Sequence, residues 1–292
     1  MKNNRFTAAV LIPGFLFMFI FAVFPVIYGI GISLFDYNPL NIQNTFLGLE
    51  NYRRLIHDEV FWKAVKNTFF FCIVAVTGNI VITLFLAKII SVIPSEKLRT
   101  AFRTILFIPC IAPAVGTSMI WKYGIAATDG GLLNRFLGLF GMAPKNWFLT
   151  TMPMMIIIIV YTLWSDIGYN VVLFTAAIEG VPKEFEEAAL IDGAGPVTCF
   201  LKIKLPLMGR TFAFVSIMTM ANYFQMFAQF RVFAASGGKD NSVMVLTNYI
   251  YKTSFSSYDM GYASAIAAAL FVIVFVVAMI QNRMMRSDWS YE

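Results

Sequence analysis

Charge is scarce in this 292-residue chain: Asp, Glu, Lys and Arg make up 13% of it, against roughly 25% in an ordinary soluble domain. With 59% of its residues hydrophobic, such a chain cannot clothe a globule in polar surface, and a soluble globular protein is excluded. Histidine is scarcer still. His57 is the only one, so no histidine-based metal cluster and no Ser-His-Asp triad can be assembled within the chain. The three cysteines, Cys72, Cys110 and Cys199, sit in or beside apolar runs without CxxC spacing, and read as small buried hydrophobes. There is no glycine-rich phosphate loop of the GxxxxGKS/T type, so ATP has no Walker-type site here. The net charge is +6, but the lysines and arginines are dispersed singly, without the basic stripe that nucleic acid requires.

What the chain has is long apolar runs. Stretches free of charge cover 6–35, 67–87, 104–121, 146–165, 211–230 and 260–282. Each reaches or approaches the roughly 20 residues a helix needs to cross a ~30 Å hydrocarbon layer. The alternating ten-residue segments of a membrane β-barrel are missing. The sequence therefore reads as all-α, a polytopic membrane protein with six transmembrane helices at about 8–34, 68–88, 104–122, 151–174, 211–233 and 260–281. The connections are short, so 1–292 reads as one transmembrane domain. The first run is too long for a signal-peptide core and no cleavage pattern follows it, so it is expected to be retained. An even number of spans puts both termini on one side. The basic tips at Lys97–Arg103 and Arg283–Arg286 tilt that side toward the cytoplasm, which would put Lys2 and Arg5 there as well.

Proline and glycine predict irregularity inside these spans. Pro13, Gly14 and Pro25 predict either a kink in span 1 or a start as an interfacial turn, and Asp166, Gly168 and Asn170 interrupt span 4. Pro109 and Pro113 in span 3 predict either a bend around a cavity or an irregularity absorbed by packing. Polar side chains in a membrane face a cavity or pair between helices. Asn222, Gln225 and Gln229 stand at i, i+3 and i+7, which on a continuous helix places three amides on one face. Amides donate and accept, as a hydroxyl-rich ligand needs, and Tyr223, Phe224 and Phe227 could lie against the apolar faces of a sugar. Asn79 and Asn170 are candidates of the same kind. Amide bonding between helices is the alternative for all of them. Asp166 is expected near the outer interface or paired with a neighbour. Gly261, Ala263, Ser264 and Ala265 in span 6 predict a close helix interface.

Segment 179–210 holds the densest acidic stretch. Pro182 followed by Glu184, Glu186 and Glu187 marks a helix start, so a short helix is expected from Lys183 to about Ile191. Asp192-Gly193-Ala-Gly195-Pro196 breaks it, and a second short helix through Phe200 and Ile203 is expected to stop at Leu205-Pro206. Glu187 would be exposed, with Ala188 and Ala189 offered for close packing. Physics alone allows a merely tethered interfacial loop.

The string Glu187-Ala188-Ala189, with Gly193 six residues after Glu187 and then Ile203-Lys204-Leu205-Pro206, resembles the cytoplasmic loop of permease subunits of binding-protein-dependent ABC importers. The resemblance covers nearly the whole chain and is similar to the sugar-type branch of maltose, lactose and glycerol-3-phosphate permeases. Pro13-Gly14 with Pro25, Gly48-Leu-Glu-Asn-Tyr52, Asn67-Thr68, the run from Arg103 to Pro109, Trp164 through Asn170 and Met260-Gly-Tyr-Ala-Ser-Ala265 support it. One departure is Gly237-Gly238-Lys239, where members usually carry Gly-Gly-Pro followed by Thr.

The resemblance implies that Glu187, Ala188, Ala189, Asp192, Gly193, Ile203, Leu205 and Pro206 couple the chain to a cytoplasmic ATPase. It implies a homologous second permease, an ABC ATPase dimer holding ATP and Mg, an extracytoplasmic solute-binding protein and a carbohydrate-like solute. This chain itself would carry no cofactor and no catalytic residue, in a bacterial or archaeal cell membrane. Two other readings compete: a secondary transporter driven by an ion gradient, which would use a carboxylate such as Asp166, and a membrane scaffold without a transport role.

Overall fold

The computed structural model describes residues 4–41 and 44–285, with side chains from Val10 onward. Lys2, the Arg5 side chain and Arg286, read above as inner-side charges, lie outside the described residues.

Helix α1, Asn4–Met18, passes Pro13 and opens into a π-helical turn over Phe19–Val23 before α2, Phe24–Ile32. Pro25 lacks the N–H that would bond one turn back, and the wider turn, closed by Phe24 N–H to the Phe19 carbonyl, absorbs the mismatch. A two-residue antiparallel ribbon follows, β1 Phe35–Asp36 with β2 Thr45–Phe46, then α3, Glu50–His57, and α4, Glu59–Ser91. Helix α4 begins well before the expected position 68.

Helix α5, Glu96–Ile111, and α6, Ala114–Ile120, meet at a 95° bend. Pro113 drives the residue before it out of the helical region, and Ala112 is extended at φ −71°, ψ 141°. Of the two outcomes left open for Pro109 and Pro113, the chain shows a bend. A π-helical turn, Trp121–Ile125, precedes α7, Leu132–Gly138.

Helix α8, Thr151–Glu179, is unbroken, which corrects the interruption read at Asp166, Gly168 and Asn170. Gly168 serves packing instead. A Cβ there would lie 2.1 Å from the Leu106 carbonyl oxygen of α5, so its absence lets the two backbones touch.

After α8 come α9, Lys183–Ile191, and α10, Pro196–Cys199. A π-helical turn over Phe200–Lys204 leads into α11, Leu205–Leu207. The expected stop at Pro206 is corrected: the π turn supplies the register a proline needs, and the helical path ends at Met208 (φ −86°, ψ 8°). The span expected as one helix over 211–233 is also two helices, α12, Gly209–Phe224, and α13, Ala228–Phe233. Gln225 (φ −97°, ψ 4°) and Phe227 (φ −124°, ψ −55°) part them. Helix α14, Leu246–Tyr251, a π-helical turn over Lys252–Ser256 and α15, Met260–Met284, are the last of the described elements.

Among the described residues, four helical stretches are long and apolar enough to cross a membrane: Val10–Ile32, Glu59–Ser91, Thr151–Glu179 and Met260–Met284. The bent pair of α5 with α6 makes a fifth if counted as one. The protein is thus an all-α, multi-pass membrane protein. None of the hydropathic window in Val10–Ile32 is buried, so its apolar side chains face outward, as suits lipid or another membrane chain.

The chain forms two compact units, one reaching to Trp62 and including Leu246–Ile273, the other made of Lys63–Val245 and the stretch from Val274. In the first, the Met260 and Gly261 amides donate to the Tyr37 carbonyl at 3.0 and 3.1 Å. Asn51 Nδ2 donates to the Ser33 and Phe35 carbonyls at 2.9 and 3.0 Å. The second unit has a core of Phe71, Ile158, Tyr161, Phe174, Phe224 and Phe230, all essentially inaccessible.

Candidate functional site: a membrane cavity and a docking helix

Within the second unit, α5, α8 and α12 enclose a cavity of about 320 Å3. Its polar lining is Asp166, Tyr169, Asn170, Thr219, Asn222 and Tyr223, and Phe107, Leu173, Phe214 and Met218 form much of its apolar wall. Helical spacing brings these groups together. Asp166, Asn170 and Leu173 stand at i, i+4 and i+7 on α8, and Thr219 and Tyr223 at i, i+4 on α12.

A chain of hydrogen bonds backs the cavity. Asn170 Nδ2 donates to Asn79 Oδ1 at 2.6 Å and to Thr219 Oγ1 at 3.0 Å, and Asn79 Nδ2 donates to the Tyr223 hydroxyl at 3.0 Å. Tyr223 also hydrogen-bonds Asp166, which accepts from Ser165 Oγ at 2.6 Å. Asn79, Asn170 and Tyr223 are buried, so these bonds relieve the cost of holding polar groups in an apolar medium. Asn222 and Tyr169 differ: both are exposed toward the cavity, and among the described residues neither side chain has a hydrogen-bond partner.

Of the residues singled out in the sequence, Asn170, Asn222 and Tyr223 line this cavity. Asn79 lies behind its wall, bonded to Asn170 and Tyr223. Gln225 and Gln229 do not line it. The single amide face fails because α12 ends at Phe224, leaving Gln225 exposed just past its end and Gln229 in α13. Asp166, expected near the outer interface or paired with a neighbour, is paired with Ser165 and Tyr223, and it lines the cavity as well. Thr219 and Tyr169 were not singled out at all. The i, i+4 spacing of Asp166 and Asn170 was the available signal, obscured by reading span 4 as interrupted.

The segment after α8 builds a second candidate site. Glu179, at the end of α8, pairs with Arg103 and, at 3.2 Å, with Arg99 of α5. From this clamp the chain turns through Pro182 into α9, where Glu184 and Glu186 sit in the first turn. Gly193 adopts φ +78°, donating to the Leu190 carbonyl at 3.1 Å, while the Ala194 amide donates to the Ala189 carbonyl at 2.9 Å. These two bonds make a Schellman cap, which needs the left-handed conformation glycine tolerates best. Lys204 Nζ holds Glu186 at 2.6 Å, tying the second short helix back onto α9.

The two alanines divide their roles, since Ala189 is buried and Ala188 is exposed beside Glu187. Leu190, Ile191 and Val197 are also exposed, Ile191 to 87%. Asp192, Gly193 and Pro206 are exposed, and Ile203 and Leu205 half-buried. The result is a capped helix that exposes Glu184, Glu187 and Asp192 together with several apolar groups.

The first unit holds a polar cluster that sequence reading missed. Asp58 Oδ1 accepts from the Val60 amide at 2.8 Å and the Phe61 amide at 3.2 Å, capping α4, and its other oxygen accepts from the Tyr249 and Tyr262 hydroxyls. Burial pushes the Asp58 carboxyl up, but the hydrogen bonds outweigh it and hold the carboxyl below its ordinary value. Burial, then the bond to Asp58, raises the Tyr249 phenol. Arg54 lies 3.9 Å over the Tyr262 ring and pairs with Asp259 at 2.7 Å. Partners so distant in sequence leave no local signal. Among the described residues, no group of three His, Cys, Asp or Glu is placed to hold a metal ion.

Residues 79–287 match the family of binding-protein-dependent transport system inner membrane components. The chain belongs to this family. The matched region takes in both the cavity and the capped helix, so the permease is a transport component of the cell membrane rather than an enzyme. Membership also sets aside the ion-gradient transporter and the passive scaffold.

Among curated relatives, the arabinooligosaccharides transport system permease protein AraP of Halalkalibacterium halodurans is 30% identical, over 96% of this permease and 88% of AraP. The sn-glycerol-3-phosphate transport system permease protein UgpA of Escherichia coli is 29% identical, over 96% of this permease and 94% of UgpA. Among solved structures, a bacterial ABC transporter involved in the import of the acidic polysaccharide alginate superposes with a TM-score of 0.85 at 21% identity, covering 99% of this permease and 98% of that chain. At that identity the likeness speaks for the fold alone.

Proposed function

We propose that this permease carries a sugar or related polyhydroxylated solute into the cell as one half of an ATP-driven importer. It works with a homologous second permease, two ATPase subunits that bind ATP and Mg, and an extracytoplasmic solute-binding protein. The observation that carries the reading is the cavity between α5, α8 and α12, where open amide and phenol groups stand among aromatic side chains. The permease's likeness to AraP, whose name gives arabinooligosaccharides as cargo, supports it. In this reading 1–292 is a single transmembrane domain. Helices α12 and α13 together make the fifth of six crossings, and both termini lie in the cytoplasm. At 16 residues α12 is about 24 Å long, so it needs α13 to complete a crossing.

The α9 segment is the cytoplasmic coupling helix. Glu187 and Ala188, with Asp192 and Gly193 at its end and Ile203, Leu205 and Pro206 in the following helix, meet the ATPase, and Ala189 seats the helix from behind. ATP binding draws the paired coupling helices together and opens the path outward, and hydrolysis with product release resets it inward. Helix α8 links the two sites: it lines the cavity and carries α9 at its end, clamped to α5 through Glu179.

The test is copurification of the tagged permease from its native membrane, followed by ATPase assays of the reconstituted complex with its binding protein. Recovery of an ATPase and a second permease, with hydrolysis stimulated by arabino-oligosaccharides or another neutral sugar, is expected. Recovery of the permease alone, or stimulation only by amino acids, peptides or metal ions, would overturn the reading.

A further inference from the structure

The cavity carries a carboxyl group and no compensating cation. Asp166 is its one acidic lining residue, and none of the lining residues is lysine, arginine or histidine. Asp166 is fixed in place by the Ser165 hydroxyl at 2.6 Å and by Tyr223. Tyr223 is held in turn by Asn79, and Asn79 by Asn170, so the carboxyl is the end of an ordered chain and cannot swing away from the cavity at no cost. We propose that Asp166 is a specificity-determining residue that admits uncharged sugars to this cavity and turns away anionic ones, such as uronates and sugar phosphates.

The chemistry is direct. A carboxylate accepts hydrogen bonds from the hydroxyls of a neutral sugar, while Asn222 and Tyr169, unpartnered among the described residues, can donate to its oxygens. An anionic solute would lose its hydration in a lining without a basic group and meet a fixed carboxyl there. The fold does not dictate this outcome, since a transporter of closely similar fold is involved in the import of the acidic polysaccharide alginate. Charge selection in this permease therefore resides in side chains such as Asp166. The inference rests on the proposed sugar import for its cargo, but its test reads the field in the cavity and needs no cargo.

Cys110 lines the same cavity, whereas Cys72 and Cys199 are buried, so the native thiol is a reporter already in place. The reconstituted complex is treated with anionic (sulfonatoethyl) and cationic (trimethylammonioethyl) methanethiosulfonates, and Cys110 labelling rates are measured by mass spectrometry. Taking the ratio of the two rates cancels changes in thiolate fraction. In the wild type the cationic reagent is expected to be favoured on the order of tenfold beyond its ratio with a free thiol in solution, the size expected for one fixed charge a few ångströms away in a low-dielectric site. Asp166→Asn is expected to bring the ratio close to the solution value and Asp166→Glu to keep it. A wild-type ratio equal to that in solution overturns the proposal even if Asp166→Asn fails to assemble. An Asp166→Asn ratio unchanged from a raised wild-type value overturns it equally, because the field would then come from elsewhere. Loss of sugar uptake with the ratios as expected would count against the cargo and leave the charge selection standing.

Discussion

Replacing Gly168 by alanine probes the contact on which the cavity is built. The new Cβ would stand 2.1 Å from the Leu106 carbonyl oxygen, 2.5 Å from the Leu106 carbonyl carbon and 2.7 Å from the Phe107 Cα. All three are backbone atoms, so no rotamer change relieves the clash, and α5 and α8 must part by more than about 1 Å to restore a contact of about 3.5 Å. Overpacking of this kind costs about 1–3 kcal/mol. Alanine returns about 1 kcal/mol through its higher helix propensity, leaving a net loss of up to roughly 2 kcal/mol. Phe107 and Cys110 would move with α5, so uptake should fall several-fold as well. The assay is thermal unfolding of the purified complex together with uptake in proteoliposomes. Gly78→Ala is the matched control, because its Cβ would sit 3.4 Å from the end of the flexible Leu163 side chain. Gly168→Ala behaving like Gly78→Ala in both measurements would refute the packing argument.

Gly193→Ala faces no crowding, since nothing lies within 4 Å of the added Cβ, but φ +78° costs an L-residue about 1 kcal/mol. Helix α9 should lose its cap, seen as faster amide exchange at Gly193 and Ala194 and, on the proposed coupling role, a weaker ATPase contact in pull-down. Asn170→Ala removes the donor to both Asn79 and Thr219 and leaves the Asn79 oxygen without that partner in an apolar medium, at about 1–3 kcal/mol. The loss should be visible in thermal unfolding and should exceed that of Gln225→Ala, whose side chain is exposed. Asp58, held below the ordinary carboxylate range, contributes stability that is fully present above the unfolded value of about 3.9 and is lost as pH falls through its lower folded value. The stability advantage of wild type over Asp58→Asn should therefore hold at neutral pH and shrink only in strong acid, as followed by unfolding at a series of pH values.

The helices with long apolar runs and the capped helix from Lys183 to Ile191 were legible because their signals are local: charge-free length in one case, Pro182 with an acidic first turn and Gly193 in the other. The break in 211–233 was not. The segment from Asn222 to Gln229 contains no glycine or proline, and the change of direction at Gln225–Phe227 has no local marker. Pro206 misled for the opposite reason. Its local effect is to end a helix, but the π-helical turn over Phe200–Lys204 accommodates it. Half of the cavity's polar lining was readable, because Asn170, Asn222 and Tyr223 are conspicuous in apolar runs. Asp166 acquires its place only when α5 and α12 close around α8, and that closure depends on Gly168, which the sequence presented as an interruption rather than a contact.

The central claim is that α9 transmits ATPase movement to the cavity, and Glu187→Lys tests it most directly. The charge of an exposed residue is reversed, and the fold has no stake in it. With the variant complex reconstituted alongside its binding protein, ATP-driven solute uptake and solute-stimulated hydrolysis are measured in the same vesicles. The account predicts a permease that inserts in the membrane normally but has lost uptake, with hydrolysis no longer responding to the binding protein. Wild-type uptake by the Glu187→Lys complex would contradict it.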